Sequence, residues 1–276
     1  MIAEIIMAIL QALFEWLPIS SSGQVMIFAT RFLGIPPEKA FSLAIWLHIG
    51  TMFAVLVKFR KEYKNILLSL IPKSNESEIE SVKQRNWLIY STIATACTAL
   101  PLYFAFQMLI SGYLPLHGDI ITILIALFLI ITGIILLKRG KNKGTKTLNN
   151  LSDKNLKKDS VISGLVQGTA ILPGISRSGI IVTTLLSSDY EPDSALKLSF
   201  LMSVPVVIAS IGVEILVGNY VYIDPLTIVI TTLISFVVGY ISMEFLLKMA
   251  KKIEFGYFCL IYGAIAICVI IVFLFM

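Results

Sequence analysis

The sequence predicts an all-α integral membrane protein with six transmembrane helices and two re-entrant helical hairpins, arranged as an inverted-topology repeat. Three observations predict it. The 276 residues are 57% hydrophobic and only 14% charged, with a mean hydropathy of +0.88, against roughly 25% charged residues in a typical soluble domain. Apolar runs of about 20 residues, long enough to cross a bilayer as helix, recur along the chain. Two further apolar segments are interrupted near their middle by Pro, Gly and Ser. A soluble enzyme of this length would need a far more polar surface, so that class is excluded.

The six candidate spans are residues 40–58, 87–110, 119–137, 194–217, 225–247 and 255–276. The first interrupted segment, 1–35, rises only about 25 Å as a helix before Pro18 and Ser20-Ser21-Ser22-Gly23. It resumes there and ends near Gly34-Ile35-Pro36. The second, 160–188, is broken by Pro173-Gly174 and restarts at Ser178-Gly179. Two half-helices around such a break read as a re-entrant hairpin, because irregular backbone at membrane depth is tolerated only inside protein or beside a wet cavity.

Charge sets the orientation. The net charge of +5 and pI near 9.0 could suggest nucleic acid, but 18 of the 22 Lys and Arg lie in three connections, 58–85, 138–158 and 248–252, while 111–118 and 218–224 hold none. Six alternating spans put all three basic connections on one side, which the positive-inside rule makes cytoplasmic. Both termini and the mouth of the first hairpin then lie outside, in the cell membrane, and the second hairpin enters from the cytoplasm. The N-terminus has no basic region or cleavage site of a signal peptide. Cys97, Cys259 and Cys268 sit in apolar runs without CxxC spacing, which argues against zinc.

An internal repeat agrees. Gln11-Ala-Leu-Phe-Glu15-Trp-Leu-Pro18-Ile-Ser20-Ser-Ser22-Gly23 lies beside Gln167-Gly-Thr-Ala-Ile-Leu-Pro173-Gly-Ile-Ser176-Arg-Ser178-Gly179, with the same spacing from Gln to Gly. Three spans follow each hairpin, so the second half is inverted. The first repeat is residues 1–137 and the second 160–276, joined by a polar, flexible, basic cytoplasmic linker at 138–159. Broken helices of inverted repeats that meet at mid-bilayer build the binding site of many transporters.

The chemistry-bearing residues cluster at the two breaks. Glu15 stands in an apolar segment, where a carboxylate is expensive and marks function; Ser20, Ser21, Ser22, Gly23 and Gln24 follow it. Serines that cap a restarted helix leave backbone amides at the positive end of its dipole, a site for anionic oxygen, although such serines also simply satisfy a broken backbone. At the second break Arg177 stands between Ser176 and Ser178-Gly179. A mid-membrane arginine costs at least about 2.5–3.5 kcal/mol on insertion scales and needs a partner, which is either a phosphate gripped by its planar fork or a structural pairing with Glu15. His48 lies within a span as a packed side chain or a base. His117 has no assigned role, Glu214 and Glu244 are expected to reach water near span ends, and Tyr257 and Tyr262 fit an interfacial belt.

The run Gln11-x3-Glu15-x2-Pro-x-Ser-Ser together with Pro173-Gly-x-Ser-Arg-Ser-Gly179, Leu47-His-Ile-Gly-Thr51, Phe59-Arg60, Ser199-Phe200-Leu201 and Tyr262-Gly263 resembles the undecaprenyl pyrophosphate phosphatase family of bacteria and archaea, over nearly the whole chain. The resemblance implies a membrane phosphatase that removes one phosphate from a polyprenyl diphosphate and so recycles the lipid carrier of cell-envelope synthesis. It implies Gln11 and Glu15 as an (E/Q)xxxE motif, Ser20 and Ser21 as a serine pair with Ser21 the nucleophile, and Arg177 as the phosphate-binding arginine. It further implies a divalent cation, Mg2+ or Ca2+, held by Gln11, Glu15 and the substrate's own phosphates. Two positions depart from the family pattern. Gln24 replaces a common histidine, which moves the base role toward Glu15 or His48, and Ile181 replaces a threonine. The expected partners are the lipid diphosphate and the bilayer, not nucleic acid; a homodimer stays open. A polyprenyl-phosphate flippase is the alternative reading.

Overall fold

The computed structural model of the chain describes residues 1–17, 20–71, 78–110, 127, 144–217 and 224–249. The expected spans 119–137 (Leu127 apart) and 255–276 lie outside these, as do Pro18, His117, Tyr257 and Tyr262. Among the described residues every regular element is helical: α1 (Ile2–Phe14), α2 (Ser21–Phe32), α3 (Pro37–Lys58), α4 (Arg60–Leu68), α5 (Glu78–Ile110), α6 (Asp153–Gly168), α7 (Arg177–Ser187), α8 (Pro192–Val217) and α9 (Pro225–Met249). Four of them are long and apolar enough to cross a membrane, α3, α5, α8 and α9, and they coincide with four of the expected spans. Pro37, Pro192 and Pro225 each open their helix, where the missing N–H is harmless and φ is already helical. α5 starts nine residues before the expected 87, because the polar turns Glu78–Asn86 continue the same helix past the apolar run.

α1 packs on α2, and both on α3; α6 packs on α7, which rests on α8. Each broken segment also leans on a long helix from the other part of the chain, α1 on α9 and α6 on α5. Small residues allow the close approach. A Cβ on Gly164 would fall 2.2 Å from the Ser91 carbonyl of α5, and one on Gly50 would fall 2.5 Å from the Thr232 carbonyl of α9. Such backbone proximity is how helices associate where apolar burial gives no driving force.

Pro205 lies inside α8, so the carbonyl four residues back, Leu201, has no helical donor. Tyr63 of α4 supplies one, its hydroxyl 2.7 Å away. Burial pushes the Tyr63 phenol up, so it stays a donor at any ordinary pH. Tyr63→Phe should therefore orphan a buried carbonyl and lower stability by about 1–3 kcal/mol, read as a drop in thermal unfolding temperature in detergent.

Polar contacts tie described parts of the basic connections to one another and to neighbouring helices. Lys58 pairs with Glu244, and Lys197 lies 3.4 Å from Glu62 and 3.6 Å from Glu80. Lys83 donates to the carbonyls of Asn149 and Leu151 at 2.9 and 2.8 Å. The described part of the linker is not the loose connector expected. Lys146 bridges to Tyr190, Leu148 and Leu151 are buried in the core, and Tyr190 donates to Asp159 at 3.0 Å. Burial and then the neighbouring Asp159 push the Tyr190 phenol up. The first helix of the second broken segment accordingly starts at Asp153 rather than 160. Glu214 also departs from expectation: it is 4% exposed and accepts from Tyr103 at 2.9 Å instead of reaching water.

Candidate active site

The site is built where the two breaks touch. Ser20 adopts φ 54°, caps α2 by accepting from the Gly23 amide at 3.3 Å and accepts from the Gly174 amide of the other break at 2.9 Å. Gly174, at φ 101°, holds a conformation that only glycine adopts without strain, and this turns its N–H toward Ser20. Ser176 caps α7 in the same way, through the Gly179 amide at 3.2 Å. Ser176 and Ser178 each donate to the Leu17 carbonyl at 3.2 Å. The N-termini of α2 and α7 are thus stitched tip to tip. Their third amides are used by the serine caps, whereas those of Ser21, Ser22, Arg177 and Ser178 have no intrahelical acceptor and lie at the positive ends of the helix dipoles.

Glu15, 6% exposed, is the hub. Its Oε2 accepts from Ser21 Oγ at 2.7 Å and from Gln11 Nε2 at 2.9 Å; its Oε1 pairs with Arg177. His48 Nε2 stands 3.2 Å from Oε2, while His48 Nδ1 is 2.6 Å from the Ala44 carbonyl. Both imidazole nitrogens face oxygen acceptors, and a neutral ring can donate to only one of them. Behind Glu15, Gln11 is held by Ser235, which donates to its Oε1 at 2.9 Å, and by Thr51 at 3.4 Å.

These groups open onto a cavity of about 790 Å³ lined by Glu15, Ser20, Ser21, Ser22, His48, Ser176 and Arg177 on its polar side. Of the candidates read from sequence, Gly23, Gly179 and Ser178 sit just behind this wall, engaged in the caps and the stitch. Gln11 positions Glu15 from the rear, and Gln24 is half-buried on α2 outside the lining. Ile181, where the family pattern has threonine, is fully buried in the core.

Gln167, which aligns with Gln11 in the internal repeat, belongs to the site as well. It is 2% exposed and lines the cavity. Its Nε2 donates to Thr95 at 3.1 Å, and Thr95 gives its own hydrogen to the carbonyls of Ser91 and Gly164, which fixes the amide orientation. Gln167 Oε1 has no protein partner. Its alignment with Gln11 was the signal that marked it.

Among the described residues no cluster of three His, Cys, Asp or Glu could hold a metal ion. Both Glu15 oxygens are engaged, and the Gln11 oxygen is turned to Ser235 with its nitrogen toward Glu15, so the expected Gln11–Glu15 pair does not present two oxygens to one point. The unpartnered Gln167 oxygen does fit a hard cation, which prefers neutral and anionic oxygen ligands.

Fold and site together define a helical membrane protein with a polar, charged cavity where two broken helices meet. The profile of bacitracin resistance protein BacA matches residues 4–268, and the chain belongs to that family. It is 36% identical to the undecaprenyl-diphosphatase of Methanothrix thermoacetophila over 95% of this chain and 94% of the relative. It is 32% identical to that of Haloarcula marismortui, over 96% of each, and 35% identical to that of Methanococcoides burtonii, over 95% and 96%.

Proposed function

We propose that this protein is a membrane phosphatase that hydrolyses undecaprenyl diphosphate to the monophosphate and phosphate. The observation that carries this reading is the chain of contacts Ser21–Glu15–Arg177, a hydroxyl on a carboxylate whose other oxygen faces a guanidinium. Glu15 is positioned to take the Ser21 proton as Oγ attacks the terminal phosphorus. The bond to the bridging oxygen breaks, the lipid monophosphate leaves with that oxygen, and water then releases phosphate from Ser21. Attack by a water oriented by Glu15, without a serine intermediate, uses the same residues. Arg177 and the free amides of α2 and α7 stabilise charge on the equatorial oxygens. No feature of the site favours a flippase.

Gln167 Oε1, which lines the same cavity as Glu15, would hold a divalent cation, Mg2+ or Ca2+, together with the substrate's phosphates and water. When bound, the cation would neutralise phosphate charge. The test is phosphate release from undecaprenyl diphosphate by the purified protein. Release is expected, lost in EDTA and restored by Mg2+ or Ca2+; no release from any polyprenyl diphosphate would overturn the function.

The same reading includes six spans, two hairpins entering from opposite sides as an inverted repeat, basic connections in the cytoplasm and both termini outside. The reciprocal packing of α1 on α9 and α6 on α5 supports the repeat, and the contacts of Lys83 with the Asn149 and Leu151 carbonyls and of Lys58 with Glu244 support the sidedness. Every residue of the mechanism comes from one chain, so a homodimer is not required. In a background lacking the native cysteines, a cysteine near 36 should react with an impermeant reagent from outside, and one near 150 only after permeabilisation. Labelling of both from one side would sink this topology.

A further inference from the structure

A second cavity, of about 600 Å³, runs between α5 and α8. One wall is Thr92, Thr95, Ala96, Ala99, Leu100 and Tyr103, which follow i, i+3, i+4, i+7, i+8, i+11 spacing and so form one stripe of α5. The other is Val206, Ala209, Ser210 and Val213, one stripe of α8. Alanines on both stripes leave the space open. Ala96, Leu100 and Ala209 at its edge are exposed, so among the described residues it opens sideways. Ile45, Thr95, Ala99, Ile171, Val206 and Ser210 line this cavity and the Glu15–Arg177 cavity alike. The two spaces therefore adjoin across a shared wall, one polar where the two breaks meet and the other largely apolar. Polar groups on the wall are partly turned away: Thr95 bonds to Ser91 and Gly164, and the Tyr103 hydroxyl bonds to Glu214, which leaves the ring to the groove.

From this adjacency we infer that the α5–α8 groove receives the isoprenyl chain of the substrate. The inference rests on the phosphatase reading for the identity of the headgroup. An isoprenyl diphosphate has the same polarity pattern as the adjoining cavities, a dense anion followed directly by a branched hydrocarbon. Thr92 to Tyr103 spans roughly 16 Å of helix, so the groove holds the units nearest the diphosphate, and the rest of the chain passes into lipid.

The test uses full-length protein in detergent and a prenyl diphosphate carrying a benzophenone on the unit nearest the diphosphate. Photolabelling, competed by undecaprenyl phosphate, is expected within residues 92–103 and 206–213. Ala209→Phe, which fills the groove without lining the phosphate cavity, should cut that labelling at least fivefold. It should raise KM for undecaprenyl diphosphate about tenfold, with kcat within twofold. Label in the groove without phosphate release would overturn the phosphatase reading and keep the groove. Phosphate release with label elsewhere, no competable label, or an unchanged KM in Ala209→Phe would overturn the groove.

Discussion

Arg177→Ala should reduce phosphate release by at least 100- to 1000-fold, the scale of losing one preorganised donor to a developing oxyanion. The protein should still insert and purify, because Arg177 opens α7 and the cap at Ser176 does not depend on its side chain. Some stability will be lost as well: breaking a buried pair leaves Glu15 without its counter-ion, at a cost of about 3–5 kcal/mol when no water reaches it, and less beside an open cavity. Arg177→Lys separates the two roles. It restores a positive charge opposite Glu15 and with it most of the thermal stability, but lysine cannot reproduce the planar fork, so turnover should remain low. Near-normal turnover in the alanine variant would remove Arg177 from phosphate binding and leave only the structural pairing.

Glu15→Gln should abolish turnover at every pH. An amide whose oxygen still accepts from Ser21 and Gln11 cannot take the serine proton, and its N–H then faces Arg177, which already donates at that position, so this contact turns repulsive. His48→Ala should have a modest effect if Glu15 is the base, and Gln24→His should raise activity or leave it unchanged. Measured as kcat against pH, an active Glu15→Gln with a dead His48→Ala would move the base to His48. If neither substitution matters in a protein that hydrolyses its substrate, the general-base step is wrong.

Much of the framework is local and therefore legible. Spans at 40–58, 87–110, 194–217 and 225–247 are set by hydropathy, and both breaks by Pro, Gly and Ser chemistry within a few residues. The helix starts are less so. Pro37 and Pro192 are start signals that an apolar window overlooks, whereas Pro225 coincides with the expected start, and α4 hides in a basic loop because its inward residues are only Tyr63 and Ile66. The candidate site divides in the same way. Glu15, Ser21 and Arg177 stand out because charge and hydroxyl are rare in apolar segments. Their supports do not: Thr51 lies 40 residues from Gln11 and Ser235 lies 224 away, and only tertiary packing brings them together. The same holds for Glu214, which a nearby helix end seemed to hydrate but which Tyr103 encloses.

The stitch between the hairpin tips has a consequence for how the protein is made. Leu17 and Ser20 bond to Ser176, Ser178 and Gly174, which follow 154 to 161 residues later in the chain. At about 5–20 residues per second of synthesis, the first hairpin waits roughly 8–30 s for these partners. On the topology proposed above it waits at bilayer depth, where each unpaired backbone group costs several kcal/mol. During that interval the newborn N-terminal half is an incomplete structure that depends on water, lipid headgroups or the insertion machinery to hold its polar tip. That interval ends with the arrival of the Pro173–Gly179 loop, which supplies partners to both breaks at once, before α8 and α9 are made.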